Sequence, residues 1–261
     1  MTHEGSNLKT LSSILIRQYK RRGALLAFAL VFLLVGCSVA TQQAQQRQTP
    51  TQQQPKSTPT PTPENPEQFR TERKASNPYT GDLDIFENEG RAEALQIDRV
   101  MDVLKIGEGA TVADIGAGSG WFTVRAARRV GERGTVYAVE INDDYIKYIN
   151  DRAKRESLPN IKTVRGTEDD AKLPAKSCDA VLILKTYHEI AEPVLVMRRL
   201  RASLKPNALV GIIDRNGSGT DHGIKPDVVV KEMERAGYVL VEEHDFVKDG
   251  MDYLLVFTPK K

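Results

Sequence analysis

Apolar and polar residues follow two different periods over the second two-thirds of the chain. Short apolar runs typical of buried strands recur there, at residues 112–115, 135–139, 161–164, 180–184 and 208–213. Between these runs, apolar side chains recur at i, i+3, i+4 and i+7, the spacing of one helix face. This spacing predicts helices at residues 95–104, 122–130, 145–153, 196–204 and 229–236. Strands that alternate with helices predict right-handed crossovers and a mostly parallel sheet covered on both faces.

The end of the chain departs from this alternation. Residues 239–245 and 253–257 are two strand-like runs separated by a short segment that contains Asp249-Gly250. A connection this short requires a hairpin, so the last strand is expected to be antiparallel. The predicted fold class is therefore α/β, over residues 81–261. It is a seven-stranded, mostly parallel, doubly wound (Rossmann-like) sheet with an antiparallel last strand, preceded by a disordered stalk.

Residues 1–37 have the pattern of a secretory signal peptide. A basic stretch at residues 20–22 precedes an apolar run at residues 24–35, and Gly36-Cys37 ends that run. As a helix, the run would be ~20 Å long, which is short of the ~30 Å hydrocarbon layer of a membrane. A charged start, a short apolar stretch and a small-residue exit are typical of a secretory signal.

The last four residues of this segment, Leu34-Val35-Gly36-Cys37, resemble the bacterial lipobox. The resemblance implies cleavage before Cys37, a lipid on its sulfur, and a membrane-anchored lipoprotein of the bacterial cell envelope, in the periplasm or on the outer face. A short uncleaved membrane anchor with an incidental cysteine is the alternative.

Residues 38–80 differ in composition from what precedes and follows them. They are dominated by Gln, Thr and Pro. Such a segment has too little apolar surface to offset the entropy of ordering it, so a disordered linker is predicted. The linker would hold the domain at residues 81–261 away from a membrane.

Charge and cysteine content narrow the function further. The chain has 37 Lys and Arg against 35 Asp and Glu, so its net charge of +2 provides no broad attraction for nucleic acid. The second cysteine, Cys178, begins a strand-like run and is interpreted as a small buried apolar residue. Once Cys37 carries a lipid, no intramolecular disulfide is possible.

A glycine-rich loop follows the first predicted strand directly. It reads Asp114-Ile-Gly-Ala-Gly-Ser-Gly120, and it opens a helix. Glycines there let the backbone approach a ligand closely, in the crevice where α/β sheets bind ligands. The dinucleotide fingerprint would require a third glycine at position 121, and Trp121 stands there. Glu140, at the end of the second strand, is placed to accept hydrogen bonds from a ribose diol.

The stretch at residues 112–123 resembles motif I of class I S-adenosylmethionine-dependent methyltransferases. Residues 166–170, 179–184 and 204–208 resemble later motifs of that family, which the similarity follows over residues 90–258. The resemblance implies S-adenosylmethionine as cofactor, with Glu140 on the ribose and a carboxylate after the third strand on the adenine. The cofactor-binding residues it implies are Asp114, Gly116, Gly118, Gly120, Glu140, Glu168 and Asp169. The chain departs from the family pattern at Asn207, where glycine is usual, and at Lys185, where many relatives have a polar or acidic residue.

The predicted catalytic residues follow the fourth strand. They are Tyr187, His188 and Glu189, and His222 after the fifth strand could reach the same crevice. His188 is the candidate general base, because an imidazole accepts a proton near neutral pH. The acceptor is predicted to be a small molecule. An Asn-Pro-Pro-Tyr stretch typical of amino-methylating nucleic-acid enzymes is absent from the sequence.

Two other functions stay open at the level of sequence. One is a tethered domain that binds a nucleoside or a partner without catalysing a reaction, since an exported domain has no obvious supply of S-adenosylmethionine. The other is a nicotinamide oxidoreductase, which Trp121 disfavours.

Overall fold

The computed structural model describes residues 65–71 and 73–261. This part of the chain contains seven strands: Thr111–Ile115 (β1), Thr135–Glu140 (β2), Ile161–Arg165 (β3), Cys178–Leu184 (β4), Leu204–Asp214 (β5), Tyr238–His244 (β6) and Tyr253–Pro259 (β7). Its α-helices are Arg91–Leu95 (α1), Ile97–Val103 (α2), Trp121–Val130 (α3), Asp143–Arg155 (α4), Pro193–Leu200 (α5) and Pro226–Arg235 (α6). Short 3-10 helices occupy Pro66–Phe69, Leu83–Phe86, Tyr187–Glu189 and Arg201–Ser203.

The strands form one sheet in the order β3-β2-β1-β4-β5-β7-β6. Neighbours from β3 to β5 run parallel, and β7 is antiparallel to both β5 and β6. The predicted fold class is therefore confirmed, including the antiparallel last strand. The chain reverses its winding direction between β1 and β4, and in such sheets ligands bind at the carboxyl ends of the strands beside that reversal.

Two hydrophobic clusters cover the two faces of the sheet. On β4, Val181 packs in the cluster with α5 and α6, whereas the adjacent Leu182 packs in the cluster with α2 and α3, and neither is exposed. Successive side chains of a strand point to opposite faces, so a strand buried on both faces shows a continuous apolar run. This is the run that the sequence pattern detects at residues 180–184.

Element boundaries differ from the predicted ones at two helices. The helix expected over residues 95–104 is divided, because Gln96 has left-handed backbone angles (φ 46°, ψ 50°) and separates α1 from α2. The helix expected over residues 196–204 ends at Leu200, and β5 begins at Leu204 after one 3-10 turn. Apolar spacing continues across both changes, which is why periodicity alone missed them. Asn142 caps α4, since its side chain accepts a hydrogen bond from the Asp144 amide at 2.9 Å.

Contacts with the domain begin before residue 81, where the domain is predicted to start. Ser76 is buried, and its amide donates to the His188 carbonyl at 3.0 Å. The Arg73 guanidinium donates to the carbonyls of Tyr187 (3.1 Å) and Ile190 (3.3 Å). Polar composition concealed this docking, because hydrogen bonds to the loop after β4 hold residues 73–76 in place.

No helix in residues 65–71 or 73–261 is long and apolar enough to cross a membrane. The predicted signal peptide, Cys37 and the linker up to residue 64 lie outside the described residues.

The docking of this segment leads to a stability prediction at Arg73. Its guanidinium also donates to the buried Glu232 carboxylate at 2.8 Å. Arg73→Met would leave that carboxylate without its cation, which typically costs about 3–5 kcal/mol. We expect the free energy of unfolding of the full chain, measured by denaturant titration, to fall by that order.

Two further variants serve as controls for Arg73→Met. Arg70→Met, in the same segment but with an exposed side chain, should change stability by less than about 1 kcal/mol. The double variant Arg73→Met/Glu232→Gln should recover part of the loss. Equal stability of Arg73→Met and Arg70→Met would mean that Arg73 does not anchor the segment.

Candidate functional site

A cavity of about 890 Å³ lies where the parallel strands end. The loops after β1, β2, β3 and β4 line it, and residues 74–79, Phe86 and Arg91 cover it. Apolar atoms form most of its lining. Small-molecule sites typically measure ~300–1,000 Å³, so this cavity has room for a cofactor and a second small molecule.

The glycine loop after β1 forms one wall of the cavity. Gly116, Gly118 and Gly120 have φ values of 72°, 54° and 74°, a region that residues with a Cβ rarely adopt. The Gly116 amide donates to the Val139 carbonyl at 3.0 Å, which ties the loop to β2. A Cβ at Gly116 would lie 2.3 Å from the Thr186 side chain. Gly116 and Gly118 line the cavity, whereas Gly120 lies behind it at the start of α3, where it shapes the turn.

Glu140, at the end of β2, connects this loop to the cavity that it lines. Its Oε2 accepts a hydrogen bond from the Gly118 amide at 3.1 Å. Its Oε1 accepts from the amides of Ile141 (2.7 Å) and Asn142 (3.2 Å). A carboxylate has about four acceptor positions, so Glu140 retains capacity for a ligand hydroxyl. Its position agrees with the expected ribose contact, which stays a prediction.

Asp114 lies beneath the loop and is almost completely buried. Burial raises the pKa of its carboxyl from 3.8 to about 7, although the Thr123 hydroxyl, which donates to it at 2.6 Å, acts in the opposite direction. The nearby Glu140 charge raises this pKa further, and the Arg91 guanidinium lowers it. The site therefore contains a carboxyl group that a cationic ligand would help to ionise.

The two carboxylates expected at the adenine end separate in the structure. Glu168 lines the cavity together with Gly166 and Thr167. Asp169 does not line it, because its carboxylate bonds to the Arg199 guanidinium and to the Thr167 hydroxyl. Those contacts lower the pKa of Asp169. Asp169 thus holds the loop against α5, and its predicted role at the adenine stays a prediction.

His188 and Glu189 lie on the opposite wall, after β4, and His222 reaches the same wall from the loop after β5. The His188 ring Nδ1 is 2.9 Å from both Asp214 carboxylate oxygens, and the His188 amide donates to Asp214 at 3.2 Å. Burial raises the pKa of the Glu189 carboxyl to about 7, against the opposing effects of His188 and of the Tyr79 amide. The structure thus brings together two of the three predicted catalytic residues with His222.

Tyr187, the third predicted catalytic residue, is placed elsewhere. Its side chain is fully buried in the core cluster with α5 and α6, beside Glu232, and does not line the cavity. Burial raises the pKa of its hydroxyl well above the ordinary value, so it carries its proton near neutral pH. The structure thus places Tyr187 outside the cavity lining, because consecutive residues of the 3-10 turn point in different directions.

Sequence reasoning missed the residues that cover the cavity. Tyr79 lies in the predicted linker, and Phe86 ends the 3-10 helix that follows it. The Glu87 carboxylate accepts a hydrogen bond from the Ser119 hydroxyl at 2.8 Å and forms an ion pair with the Arg152 guanidinium. These contacts connect the residues that cover the cavity to the glycine loop and to α4. Asp214 was also missed, although an acidic residue at the end of a predicted strand was a usable signal.

These features define an α/β domain with a cavity at the carboxyl ends of its parallel strands, and comparison with known proteins shows which family it resembles. Residues 112–207 match the family described as a methyltransferase domain. Over these residues, the match agrees with the resemblance to class I S-adenosylmethionine-dependent methyltransferases that the sequence predicted. The cofactor of that family is S-adenosylmethionine.

Known relatives and solved structures agree with this assignment. The demethylmenaquinone methyltransferase of Listeria welshimeri is 23% identical over 114 residues, 44% of this chain and 48% of that protein. The 2-phytyl-1,4-naphtoquinone methyltransferase of Trichormus variabilis is 31% identical over 107 residues, 41% of this chain and 47% of that protein. The chain thus spans about half the length of the curated relatives it matches.

Two solved structures share the fold at low sequence identity. A S-adenosylmethionine-dependent methyltransferase from Aquifex aeolicus has a TM-score of 0.62 at 22% identity, covering 68% of this chain and 98% of that one. The [4+2]-cyclase SpnF has a TM-score of 0.56 at 15% identity, covering 74% of this chain and 89% of that one.

The residues of the cavity fit S-adenosylmethionine. This cofactor carries a positive sulfonium, an ammonium and a ribose diol. The cavity supplies four carboxyl groups, those of Asp114, Glu140, Glu168 and Glu189, within a mostly apolar lining. Opposite charges and hydroxyl acceptors are therefore available where the family places its cofactor.

The buried Asp114 carboxyl leads to a pH-dependent prediction. The folded chain binds this proton more tightly than the unfolded chain, so Asp114 reduces stability as pH rises from about 4 to about 7. The variant Asp114→Asn has no titrating group there, so it does not lose this stability as pH rises. Its amide oxygen can still accept the hydrogen bond from the Thr123 hydroxyl. We expect the stability of Asp114→Asn relative to the parent to increase, on the order of 2 kcal/mol, between about pH 5 and pH 8.

Denaturant titrations of both proteins at each pH, without cofactor, measure this difference. All other titrating groups are common to the two proteins, so they cancel. A difference that does not change with pH, or that decreases as pH rises, would show that the Asp114 carboxyl is ionised in the folded protein.

Proposed function

We propose that this protein transfers the methyl group of S-adenosylmethionine to a small, largely apolar acceptor that carries an oxygen, such as a reduced quinone. One observation supports the proposal above all others. The glycine loop with Glu140 and the pair His188–Glu189 line opposite walls of a single cavity large enough for two molecules.

On the cofactor side, each residue has a defined task. S-adenosylmethionine, when bound, supplies a methyl group activated by a positive sulfonium. Glu140 holds the ribose diol, and its bond to the Gly118 amide keeps the loop in the conformation that receives the ligand. Glu168 and its neighbours border the adenine side. Holding two reactants in line accounts for a large part of the rate in such transfers.

On the acceptor side, the chemistry of the lining suggests the substrate class. Tyr79, Phe86, Ile190 and Met251 contribute apolar surface, and His188 and Glu189 contribute polar atoms that can orient an oxygen. The relatives from Listeria welshimeri and Trichormus variabilis are named for quinone-type acceptors. An apolar ring with oxygen substituents suits both kinds of surface.

A membrane tether belongs to the same proposal. The apolar run at residues 24–35 followed by Gly36-Cys37 supports a lipid on Cys37, and the Gln, Thr and Pro-rich linker supports a flexible spacer. A tether of this kind would keep the domain close to acceptors that dissolve in the bilayer, in the bacterial cell envelope.

A domain that binds the cofactor without catalysis is the competing function. The [4+2]-cyclase SpnF has this fold, so the fold by itself does not decide the reaction. Export from the cytoplasm would also separate the domain from the usual supply of S-adenosylmethionine. The glycine loop, Asp114 and Glu140 nevertheless retain the features that cofactor binding requires, and an assay of transfer separates the two functions.

The first test measures cofactor binding and turnover together. We expect the full chain to bind S-adenosylmethionine in calorimetry and to transfer its labelled methyl group to a reduced naphthoquinone. Glu140→Ala should weaken binding by ~1.5–3 kcal/mol, a rise in Kd of roughly 10–150-fold, because a hydrogen bond to a charged group is lost.

The matched control for Glu140→Ala is Glu243→Ala. Glu243 is an exposed residue of β6 outside the cavity, so its removal should leave the Kd unchanged. Equal affinity of both variants would exclude Glu140 from the site. Binding without transfer to any quinol, phenol or thiol would favour the non-catalytic domain, and tighter binding of NAD would contradict the proposal as a whole.

The tether has a separate test. Cys37→Ser removes the only sulfur that a lipid could occupy next to the apolar run. We expect this variant to lose labelling by a fatty-acid probe and to leave the membrane fraction, whereas Cys178→Ser, which changes a buried strand residue, should keep both. Unchanged labelling in Cys37→Ser would contradict the lipoprotein.

A further inference from the structure

Three metal-binding side chains converge on the acceptor wall of the cavity. They are His188 and Glu189, from the turn after β4, and His222, from the loop after β5. One ligand atom from each lies within 4.8 Å of the other two. The loops after β4 and β5 meet there because these strands are parallel neighbours.

The three ligand atoms are not bonded to one another. The His188 ring Nε2 is 3.8 Å from a Glu189 carboxylate oxygen, and the His222 ring Nδ1 is 3.9 Å from the same oxygen. Both distances exceed hydrogen-bond length. Two imidazole nitrogens and one carboxylate oxygen therefore lie close together without being hydrogen-bonded to one another.

Asp214 provides an independent indication of a metal site. A carboxylate only accepts, so the Nδ1–H of His188 donates to this fully buried group at 2.9 Å, and Nε2 is the ring nitrogen left for a metal ion. Histidines that bind metals usually donate their other ring N–H to a carboxylate or carbonyl in this way. Asp214 also accepts the amides of His188 (3.2 Å) and Arg215 (2.9 Å), so its orientation is fixed.

The spacing is close to what a small divalent ion requires. Ligand atoms ~2.0–2.2 Å from a tetrahedral zinc ion are ~3.3–3.5 Å apart. The two measured separations exceed this by about half an ångström. His222 can supply the adjustment, because its side chain is 56% exposed and lies in a surface loop. His188 is already held in place by Asp214.

We propose that His188, Glu189 and His222 bind one divalent transition-metal ion, with Asp214 as the residue that positions His188. Two imidazoles and one carboxylate favour Zn²⁺, Fe²⁺, Mn²⁺ or Co²⁺ over Mg²⁺ and Ca²⁺, which prefer oxygen ligands. Three protein ligands leave coordination positions open towards the cavity. The molecule that such an ion would hold there is a small acceptor with an oxygen donor.

The metal site is independent of methyl transfer, and only its role towards an acceptor rests on the proposed function. A pair of His188 and Asp214 acting on protons without a metal would use the same two residues. Proton transfer by His188 and Asp214 does not require the His222 ring nitrogen, whereas metal binding does. His222 therefore separates the two possibilities.

The experiment uses the full chain without an affinity tag, treated with a chelator and then titrated with Co²⁺ in the absence of S-adenosylmethionine. We expect visible absorption bands of cobalt bound to nitrogen and oxygen, saturating at one equivalent, and their loss when Zn²⁺ is added. His222→Ala should weaken Co²⁺ binding at least tenfold. Mg²⁺ at the same concentrations should not displace Co²⁺.

His244→Ala is the matched control. His244 also lies next to a carboxylate, with its Nε2 3.0 Å from Glu242, but on β6 outside the cavity. Its replacement should leave the cobalt titration unchanged. Any binding that persists equally in the parent and in His222→Ala comes from other residues, so the difference between the two titrations is the measurement.

Asp214→Asn tests the positioning role. Replacing a carboxylate partner of a metal-bound histidine typically lowers metal affinity 10–100-fold, and we expect a loss in that range with the absorption bands retained. Thermal unfolding without metal checks that this buried substitution folds, and His222→Ala keeps the test decisive if it does not. No saturable cobalt binding by the parent, or equal binding by His222→Ala and the parent, would overturn the proposal.

Discussion

The site depends on one topological constraint, the reversal of winding between β1 and β4. Because the first five strands are parallel, the loops after β1, β2, β4 and β5 all emerge at the same edge of the sheet. The reversal separates the helices that follow β1 and β4 and leaves a crevice between them. The glycine loop and the turn that carries His188 both border that crevice.

Electrostatics in this crevice are arranged around carboxyl groups. Asp114 is buried with a raised pKa, while Glu140 is held by three backbone amides and Asp214 by two amides and an imidazole. Satisfied carboxylates are rigid, and an unsatisfied one attracts a positive charge. The two kinds have different uses here. Glu140 and Asp214 fix the walls, and Asp114 is the buried carboxyl group that a cationic ligand would help to ionise.

The segment before α1 completes the cavity, and polar contacts hold it there. Arg73 donates hydrogen bonds to the carbonyls of Tyr187 and His188. The Tyr79 carbonyl accepts a hydrogen bond from the Tyr145 hydroxyl (3.2 Å). Glu87 pairs with Arg152 on α4. The segment that covers the cavity thus packs on the same turn that carries His188 and Glu189. Its conformation is set from two sides, by Asp214 beneath it and by Arg73 and Ser76 above it.

The sequence by itself determined the order of strands and helices, the antiparallel end of the sheet, the glycine loop and the acidic residue after β2. Each of these follows from local patterns, either the side-chain period of an element or the backbone freedom of glycine. The break at Gln96 was not visible, because a left-handed residue inside an apolar pattern leaves no periodic signal. Tertiary structure alone decided which neighbours in a loop face the cavity. Glu168 lines it and Asp169 pairs with Arg199, just as His188 lines it and Tyr187 enters the core. It also decided that Asp214 meets His188 and that His222 reaches Glu189, because contacts between residues 26 or more positions apart depend on strand pairing, which no local pattern records.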